Sequence, residues 1–448
     1  MSARVARVAG SGMALAALVF TSPLYASPDI DFGFGSRSQA LGGAGVAIAD
    51  DAGAVFHNPS GLVRAEHPLV SLGISSTSYS LETSGTPASL PTVHTIDAGL
   101  VVPGAIFTVP VAFGFALALP DGRLSRLREP QPTEPYWALD DATPRLVDVG
   151  STFAVRPLSW LLLGGGIGFQ ASLRGTFRVE GTAVVANGRG SEYASNLRHA
   201  VDADLTASRF PLLGATFMPS DDVAVGLSYR GASLVEHRIE GALVGTLVVP
   251  DKSVPVRYDF HTRADVAYTP AQVALGLSLR PLPNLLATAE LDWQRYSAYR
   301  SPYPQTSTHT EVPPELGIEV PDTAPTPAPP ANFNDRFVPH LGVEPTFALM
   351  SRFSVKARAG YSFQASPVPQ HQPATRLLAV DRHVVTLGAG ASWLRPISPF
   401  EEIRLDLAFA DALGVSQTLT TTAGPDADRL SGHVLMFGAT LSVAFEGE

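Results

Sequence analysis

Cysteine is missing from all 448 residues of the chain. Its absence excludes disulfide bonds, thiolate catalysis and zinc sites built on cysteine. Charge is scarce too, because Asp, Glu, Lys and Arg together make up 16% of the sequence, whereas soluble domains carry roughly 25%. This shortage indicates that apolar side chains cover part of the outer surface.

Basic clusters are also lacking. The formal net charge is −10 and no run of Lys and Arg offers a surface for phosphates, so nucleic acid is excluded as a partner. The eleven histidines are scattered without an HExxH pattern, and neither Ser38 nor Ser60 has a recognisable base partner. The sequence therefore predicts no enzyme, no cofactor and no metal.

The apolar run near the start of the chain is short. Arg4 and Arg7 precede the run 13–20, and small residues then lead to a plausible cleavage point after Ala26. A membrane anchor would need about 20 apolar residues, and this run falls well below that length. Residues 1–26 are therefore predicted to be a secretory signal peptide.

From about Glu66 to the C-terminus, apolar residues alternate with small or polar ones in one run after another. In one of these runs Val273, Leu275, Leu277 and Leu279 are separated by small or polar residues. A period of two is typical of a β-strand with one apolar and one polar face. By itself, the alternation fits a soluble sandwich as well as a membrane barrel.

The lengths of the connections favour the barrel. We count fourteen strand-like runs, and every second connection is short, as at 156–159 and 280–283, whereas those between are long and polar, up to the proline-rich stretch 301–334. An even number of strands with short turns on one rim and long loops on the other is typical of a transmembrane barrel. Residues 66–448 are thus predicted to form a fourteen-stranded antiparallel transmembrane β-barrel.

Some of the runs are longer than a membrane requires. The runs 222–248 and 255–280 exceed the roughly 9–11 residues that cross a bilayer. Each is predicted as a single strand that projects beyond the membrane on the outer side.

The stretch 42–62, GGAGVAIADDAGAVFHNPSGL, fits neither an ordinary strand nor an ordinary helix. Glycine and alanine bury little apolar area, while ordering each residue costs about 1–2 kcal/mol of backbone entropy. Such a segment cannot form a core of its own and must be held inside another structure. Residues 27–65 are therefore predicted to be an N-terminal plug, or hatch, inside the lumen of this all-β fold.

Three parts of the chain carry a family resemblance. They are the stretch 47–59 (AIADDAGAVFHNP), the ordered sets Gly360-Tyr361, 366–369 (SPVP) and 381–383 (DRH), and the pattern Phe107, Pro110, Phe113-Gly114 and Gly122. Together they resemble the FadL/TodX family of outer-membrane transporters for long-chain fatty acids and aromatic hydrocarbons. The first part is similar to the family's plug, which ends in an Asn-Pro-Ala motif.

The resemblance implies a route for a ligand. It is captured on outer loops, enters a lumen pocket above the plug and leaves sideways where the third strand kinks. Pro120 and Gly122 are expected at this lateral gate, because proline has no N–H for the ladder and glycine permits a kink. The plug motif Asn58, Pro59 and Ser60, where serine replaces the family's alanine, is expected to contact the kinked strand. On residues alone it could be an ordinary turn.

Two acidic residues lie in the middle of the plug. Asp50 and Asp51 are expected to pair with arginines of the lumen and so hold the plug. They could instead bind a cation, but no third or fourth oxygen ligand lies at the spacing of a calcium loop.

Four residues are candidates for binding the ligand. Arg174 and Arg178 fall on the face predicted to line the lumen, where they could hold a carboxylate or join an ion-pair network with Glu180. Phe32 and Phe34 could reach the ligand pocket or could be ordinary packing. The absence of Lys and Arg from the loop 301–334 leaves a neutral hydrophobic ligand open.

The chain is thus expected to be a channel in the outer membrane of a Gram-negative cell, for passive uptake of hydrophobic compounds, above all long-chain fatty acids. The alternative to this function is a plugged barrel that serves as a scaffold for secretion or surface assembly and moves no ligand. The expected partners are a hydrophobic small molecule and outer-membrane lipid, and the channel is expected to be a monomer.

Overall fold

The computed structural model describes residues 32–120, 130–141, 147–184, 196–249, 252–311, 322–325, 327–421 and 427–447. Within these ranges the chain is mostly β-strand. The predicted signal peptide lies outside the described residues.

Fourteen strands close into one antiparallel barrel. Each is hydrogen-bonded to the next along the chain, and the last returns to the first, where the run Leu69 to Thr83 pairs with the run Ala444 to Leu430. The predicted barrel is therefore confirmed. In chain order its strands are β1 Leu69–Thr83, β2 Val93–Ile106, β3 Val109–Pro120, β4 Asp148–Leu158, β5 Leu161–Val184, β6 Asn196–Ser220, β7 Val223–Arg230, β8 Gln272–Leu282, β9 Leu285–Gln294, β10 Arg336–Met350, β11 Phe353–Gln364, β12 Arg382–Leu394, β13 Phe400–Gly414 and β14 Ala427–Phe445.

The two rims of the barrel differ in their connections. On the turn rim, pairs such as β4 and β5 are joined by two residues, 159–160. On the loop rim, the connections are long, and the one between β9 and β10 spans 295–335. The loop rim also carries short strands at Thr86–Pro87, Tyr136–Trp137, Gln305–Glu311, His371–Gln372, Leu377–Leu378 and Gln417–Thr421.

The described helices are short. They are α1 Ser36–Ala40, α2 Ala54–His57 and α3 Ala138–Asp141, with 3₁₀ turns at Pro59–Arg64 and Tyr296–Ala298. Among the described residues, no helix has the length and apolar character that a membrane crossing would require.

The two runs predicted as single long strands are each divided in two. β7 ends at Arg230 and a separate strand follows at Ser233–Val249, while Lys252–Thr269 is separate from β8. The breaks coincide with a glycine at 231 and a proline at 270, and proline cannot donate to a ladder. The two extra strands form a hairpin that pairs in parallel with the outer part of β5. The predicted runs passed through both of these residues, and pairing with β5, which the local pattern does not show, positions the hairpin between them.

The apolar faces of the strands point outward. On β8, Leu275 and Leu277 are 54% and 37% exposed, whereas Ala274 and Ser278 on the other face are buried. A soluble sandwich would bury the leucines between its sheets. Their exposure on a closed barrel is instead the arrangement of strands that face hydrocarbon.

The N-terminal segment, residues 32–65, is surrounded by these strands. Eleven of the fourteen strands carry a glycine that points inward. If a Cβ were added to each of these glycines, the atom nearest to it would belong to this segment. A segment in contact with strands on every side is enclosed by the barrel. The glycines, which we call the glycine belt, are Gly99, Gly114, Gly150, Gly164, Gly214, Gly226, Gly276, Gly342, Gly360, Gly388 and Gly438.

Candidate functional site

Asn58 fastens the N-terminal segment to the barrel wall. Its side chain caps the following 3₁₀ turn by accepting hydrogen bonds from Ser60 N and Ser60 Oγ at 3.2 and 2.7 Å. Its Nδ2 donates to Val46 O at 2.8 Å and to Thr216 Oγ1 of β6 at 3.0 Å. Proline at position 59 suits the first residue of such a turn, where no N–H is needed. Asn58 and Ser60 are fully buried.

The structure places the motif against β5 and β6. A Cβ on Gly164 of β5 would overlap the backbone of Pro59 and Ser60, and one on Gly214 of β6 would overlap the Asn58 side chain. Leu62 follows the motif in the same turn, and its methyl groups lie against Gly114 of β3. Contact of the motif itself with β3 stays a prediction. The 3₁₀ turn advances the chain across β6, β5 and β4 before it reaches β3, which the sequence alone could not indicate.

A chain of ion pairs links the segment to three barrel strands. Arg37 of α1 pairs with Asp50 of the same segment at 2.7 Å and with Glu344 of β10 at 3.3 Å. Glu344 also pairs with Arg358 of β11, which pairs with Asp406 of β13, both at 2.6 Å. The arginine beside Asp50 therefore belongs to the segment, and Glu344 is the barrel residue that Arg37 reaches.

The adjacent aspartates of the segment differ in their surroundings. Burial would raise the pKa of Asp50, but the charges of Arg37 and Arg64 outweigh it and hold that pKa well below its usual value. Burial and the neighbouring charge of Asp50 raise the pKa of Asp51. Asp51 accepts a hydrogen bond from Gly53 N at 2.8 Å. Asp50 thus fixes Arg37, whereas Asp51 stabilises a local turn.

His57, at the end of α2, is half-buried and packs against other residues of the segment. Its Nε2 lies 3.2 Å from Phe34 N and 3.0 Å from Ser38 Oγ. Burial lowers the pKa of His57, against the opposing influence of the Phe34 hydrogen bond and of Asp51 and Asp292, while His340 acts in the same direction as burial.

The docking of the segment should therefore weaken in mild acid. A histidine with a lowered pKa stabilises the folded state fully above its ordinary pKa of 6.5, and that contribution is lost as the pH falls. We expect residues 32–65 to be cleaved faster by protease at about pH 5.5 than at about pH 7.5. In His57→Gln the change in cleavage rate with pH should be smaller, because this side chain no longer titrates. It should not vanish, because the other titrating groups are retained. Equal changes in both proteins would contradict a role for His57.

A polar cavity lies between the segment and the wall. It is lined from the segment by Phe34, Phe56 and His57, and from the wall by Asp148, Arg230, Gln272, Glu290, Asp292, Arg336 and His340, among others. Its volume is about 70 Å³, far below the roughly 300–1,000 Å³ of ordinary ligand pockets. A long ligand can occupy it only if the segment moves.

Arg230 of β7 is the cation best placed to meet a ligand in this cavity. Its guanidinium lies 4.8 Å from the ring centre of Phe210 and 6.0 Å from that of Phe56. It pairs with Asp148 at 3.4 Å, while its buried Nε makes no hydrogen bond with any described residue. Arg230 can thus offer a donor to a carboxylate whose tail lies against aromatic rings.

The four residues predicted to bind the ligand lie in different places. Phe34 lines the cavity, with its ring centre 5.0 Å from that of Phe56. Phe32 is buried in an apolar cluster on the loop side, together with Tyr268 and Phe333. Arg174 and Arg178 lie in the outer part of β5, and their side chains are outside the described part of the structure. Those two arginines stay predictions.

The predicted gate lies at the end of β3. β3 pairs without a break along β2, from Val109 opposite Ile106 to Pro120 opposite Thr95. Pro120 is the last residue of β3 that the structure describes, so the expected kink after it stays a prediction. Gly122 lies outside the described residues.

Three groups of residues at the site were not identified from the sequence. The glycine belt could have been found as a glycine recurring on the polar face of almost every strand. Arg230 is the last residue of β7, but the sequence analysis joined β7 and the following strand in the single run 222–248. Glu290 and Asp292 share one strand face, but nothing local indicates that His340 lies opposite them.

A closed barrel with an apolar outer face and an enclosed N-terminal segment defines a class, the outer-membrane channels. The family model described as outer membrane protein transport protein (OMPP1/FadL/TodX) matches residues 32–445. The chain belongs to this family of outer-membrane transporters of hydrophobic compounds, and the protein is an outer-membrane protein. No curated protein sequence matches it.

Solved structures share the fold. A Pseudomonas aeruginosa FadL homologue is 15% identical with a TM-score of 0.54, covering 94% of this chain and 98% of its own. The Pseudomonas putida toluene transporter TodX is 13% identical with a TM-score of 0.54, covering 93% and 100%. The Ralstonia pickettii toluene transporter TbuX is 16% identical with a TM-score of 0.52, covering 93% and 99%. At these identities the likeness concerns the fold alone.

Proposed function

We propose that the protein carries long-chain fatty acids passively across the outer membrane, with residues 27–65 as a movable plug. The observation that carries the proposal is Arg230, a cavity-lining arginine with a spare donor between two aromatic rings. A charge-assisted hydrogen bond to a carboxylate suits this donor. The rings of Phe56 and Phe210 would then receive the first carbons of the tail.

The plug is the gate in this proposal. The cavity of about 70 Å³ is too small for a long acyl chain, so passage requires residues 32–65 to shift. The contacts that would have to break are those of Asn58 with Thr216 and of Arg37 with Glu344. Both bonds join the segment to the wall and could re-form after passage.

We place the exit sideways, near Pro120 and Gly122 at the end of β3. Its support is energetic, because an acyl chain gains about 0.8 kcal/mol for each buried CH₂. A chain of about sixteen carbons would need on the order of 10 kcal/mol to enter water. Direct transfer from the lumen to the membrane avoids that step.

A neutral aromatic ligand is the second candidate. It is favoured by the aromatic cluster on the loop side, where the rings of Tyr268 and Tyr299 stack at 5.3 Å and that of Phe333 lies 5.5 Å from Tyr299. Two of the similar structures are named as toluene transporters. Such a ligand would not need Arg230.

Uptake measurements on cells that express the Arg230→Met variant distinguish the fatty acid from the neutral aromatic ligand. Losing a charge-assisted hydrogen bond worth about 1.5–3 kcal/mol should weaken the binding of palmitate by about tenfold to a hundredfold, and cells should take up labelled palmitate more slowly. Uptake of labelled toluene should not change. Arg280→Met, which alters an exposed arginine on the turn rim, is the matched control.

Each other outcome has a definite meaning. Palmitate uptake that is unaffected by Arg230→Met would contradict the proposed carboxylate site. Cells that express the wild-type protein but take up neither compound faster than a deletion strain would instead favour the scaffold without transport.

A further inference from the structure

Three ligating side chains meet on the inner wall of the barrel. Glu290 and Asp292 lie two residues apart on the inward face of β9, and His340 of β10 is directly opposite Glu290. Each residue is only 4–6% exposed. One ligand atom from each can be chosen so that all three lie within 4.8 Å of one another.

The hydrogen bond of His340 leaves one ring nitrogen free. Nδ1 lies 2.6 Å from the carbonyl oxygen of Gly42 in the N-terminal segment. A carbonyl can only accept, so Nδ1 carries the proton and donates it. Nε2 lies 3.3 Å from Asp292 Oδ2 but meets the geometry of a hydrogen bond with no described residue, so in the neutral ring its lone pair is available to a metal ion. Histidines that ligate metals are held in this way, with the other nitrogen bonded to a carbonyl or carboxylate.

Asp292 also has a spare atom that is buried. Its Oδ2 accepts a hydrogen bond from Gln272 Nε2 at 2.6 Å, whereas Oδ1 has no hydrogen-bond partner in the described part of the chain. Burying a carboxylate oxygen without a partner is costly. This orphaned oxygen can accept a hydrogen bond from a water or coordinate a metal ion.

The spacing fits a small ion. His340 Nε2 lies 3.3 Å from Asp292 Oδ2, and two ligands on a tetrahedral Zn²⁺ with bonds of about 2.0 Å stand about 3.3 Å apart. The polar cavity of about 70 Å³ adjoins all three side chains. It offers space for a water as a fourth ligand.

The charge fits as well. Once they have released their protons to bind a metal, two carboxylates and a neutral imidazole carry a charge of −2, which a divalent ion balances. Imidazole together with carboxylates suits Zn²⁺ and neighbouring transition metals.

We propose that Glu290, Asp292 and His340 bind a divalent transition-metal ion of the Zn²⁺ type, which strengthens the docking of the N-terminal segment. The coupling is direct, because the same side chains hold the segment on their far sides. Glu290 Oε2 accepts from Gly45 N and Val46 N at 3.0 and 2.8 Å, and His340 donates to Gly42 O. An ion that orients the two side chains also orients these bonds.

Metal binding is tested on the full-length protein in detergent after treatment with a chelator. Calorimetric titration with ZnCl₂ should show one site per chain, and Co²⁺ should give the visible absorption of a ligated ion. Asp292→Asn and His340→Gln should weaken the affinity by at least about tenfold. His433→Gln is the matched control, because His433 lies 3.4 Å from Asp411 in a more exposed pair, and its affinity should equal that of the wild type.

A second measurement follows the segment. Zn²⁺ should slow proteolysis within residues 32–65 of the wild type and leave Asp292→Asn unaffected, while electrophoresis of unheated samples checks that each variant forms the barrel. Absence of Zn²⁺ and Co²⁺ binding by the wild type would overturn the proposal, and so would an affinity that Asp292→Asn leaves unchanged. Neither measurement involves transport, so failure here is separate from failure of the proposed function.

Discussion

Replacing Gly164 with valine is expected to make the barrel leak. A side chain on Gly164 would overlap the backbone of Pro59 and Ser60, and overpacking alone costs about 1–3 kcal/mol, more where backbone must move. The strand itself should tolerate valine, because β-branched residues suit strands. The segment should therefore leave its site while the barrel stays closed, and conductance across a planar bilayer should rise from silent to an open pore.

The neighbouring glycine provides the control. Gly165 lies on the opposite face of β5, where a Cβ would meet the tip of the Leu213 side chain at 3.2 Å and no part of the segment. Gly165→Val should therefore stay as silent as the wild type. A silent Gly164→Val protein with normal electrophoretic mobility would show that the segment does not close the barrel.

Replacing Arg358 with methionine is expected to give the largest loss of stability. The Arg358 side chain is fully buried and pairs with both Glu344 and Asp406. Removing one member of a buried ion pair costs about 3–5 kcal/mol, because the remaining charge is left unpaired. The temperature at which the barrel unfolds in detergent should fall, and protease should reach residues 32–65 sooner because Glu344 also holds Arg37.

Two further variants check the cause. Arg352→Met alters an exposed arginine on the turn rim and should behave as the wild type, since exposed contacts contribute little. Glu344→Gln combined with Arg358→Met and Asp406→Asn removes the unpaired charges and should recover part of the lost stability. A single Arg358→Met variant as stable as the wild type would show that the network does not hold the strands.

The strands were predictable because their signal is local. Leu275 and Leu277 alternate with small and polar residues, and this period of two follows from backbone geometry alone. The short connections were equally visible, since tight turns need few residues. The two breaks in the long runs, near 231 and 270, were not predicted. The hairpin between them is positioned by pairing with β5, which lies far away in the sequence.

Much less of the candidate site was predictable. Asp50 could be recognised as a partner for an arginine, but only the folded chain shows that the arginine is Arg37. The cluster of Glu290, Asp292 and His340 depends on the register between β9 and β10. A shift of one residue would turn His340 to the lipid side.

The amino-acid sequence by itself determined the number and alternation of the strands and the family to which the chain belongs, because these depend on residues close together in the chain. The tertiary structure decided which wall residues meet the N-terminal segment, where Arg230 lies, and that two carboxylates face His340. Those contacts join residues far apart in sequence, and they arise only once the sheet has closed and its register is set.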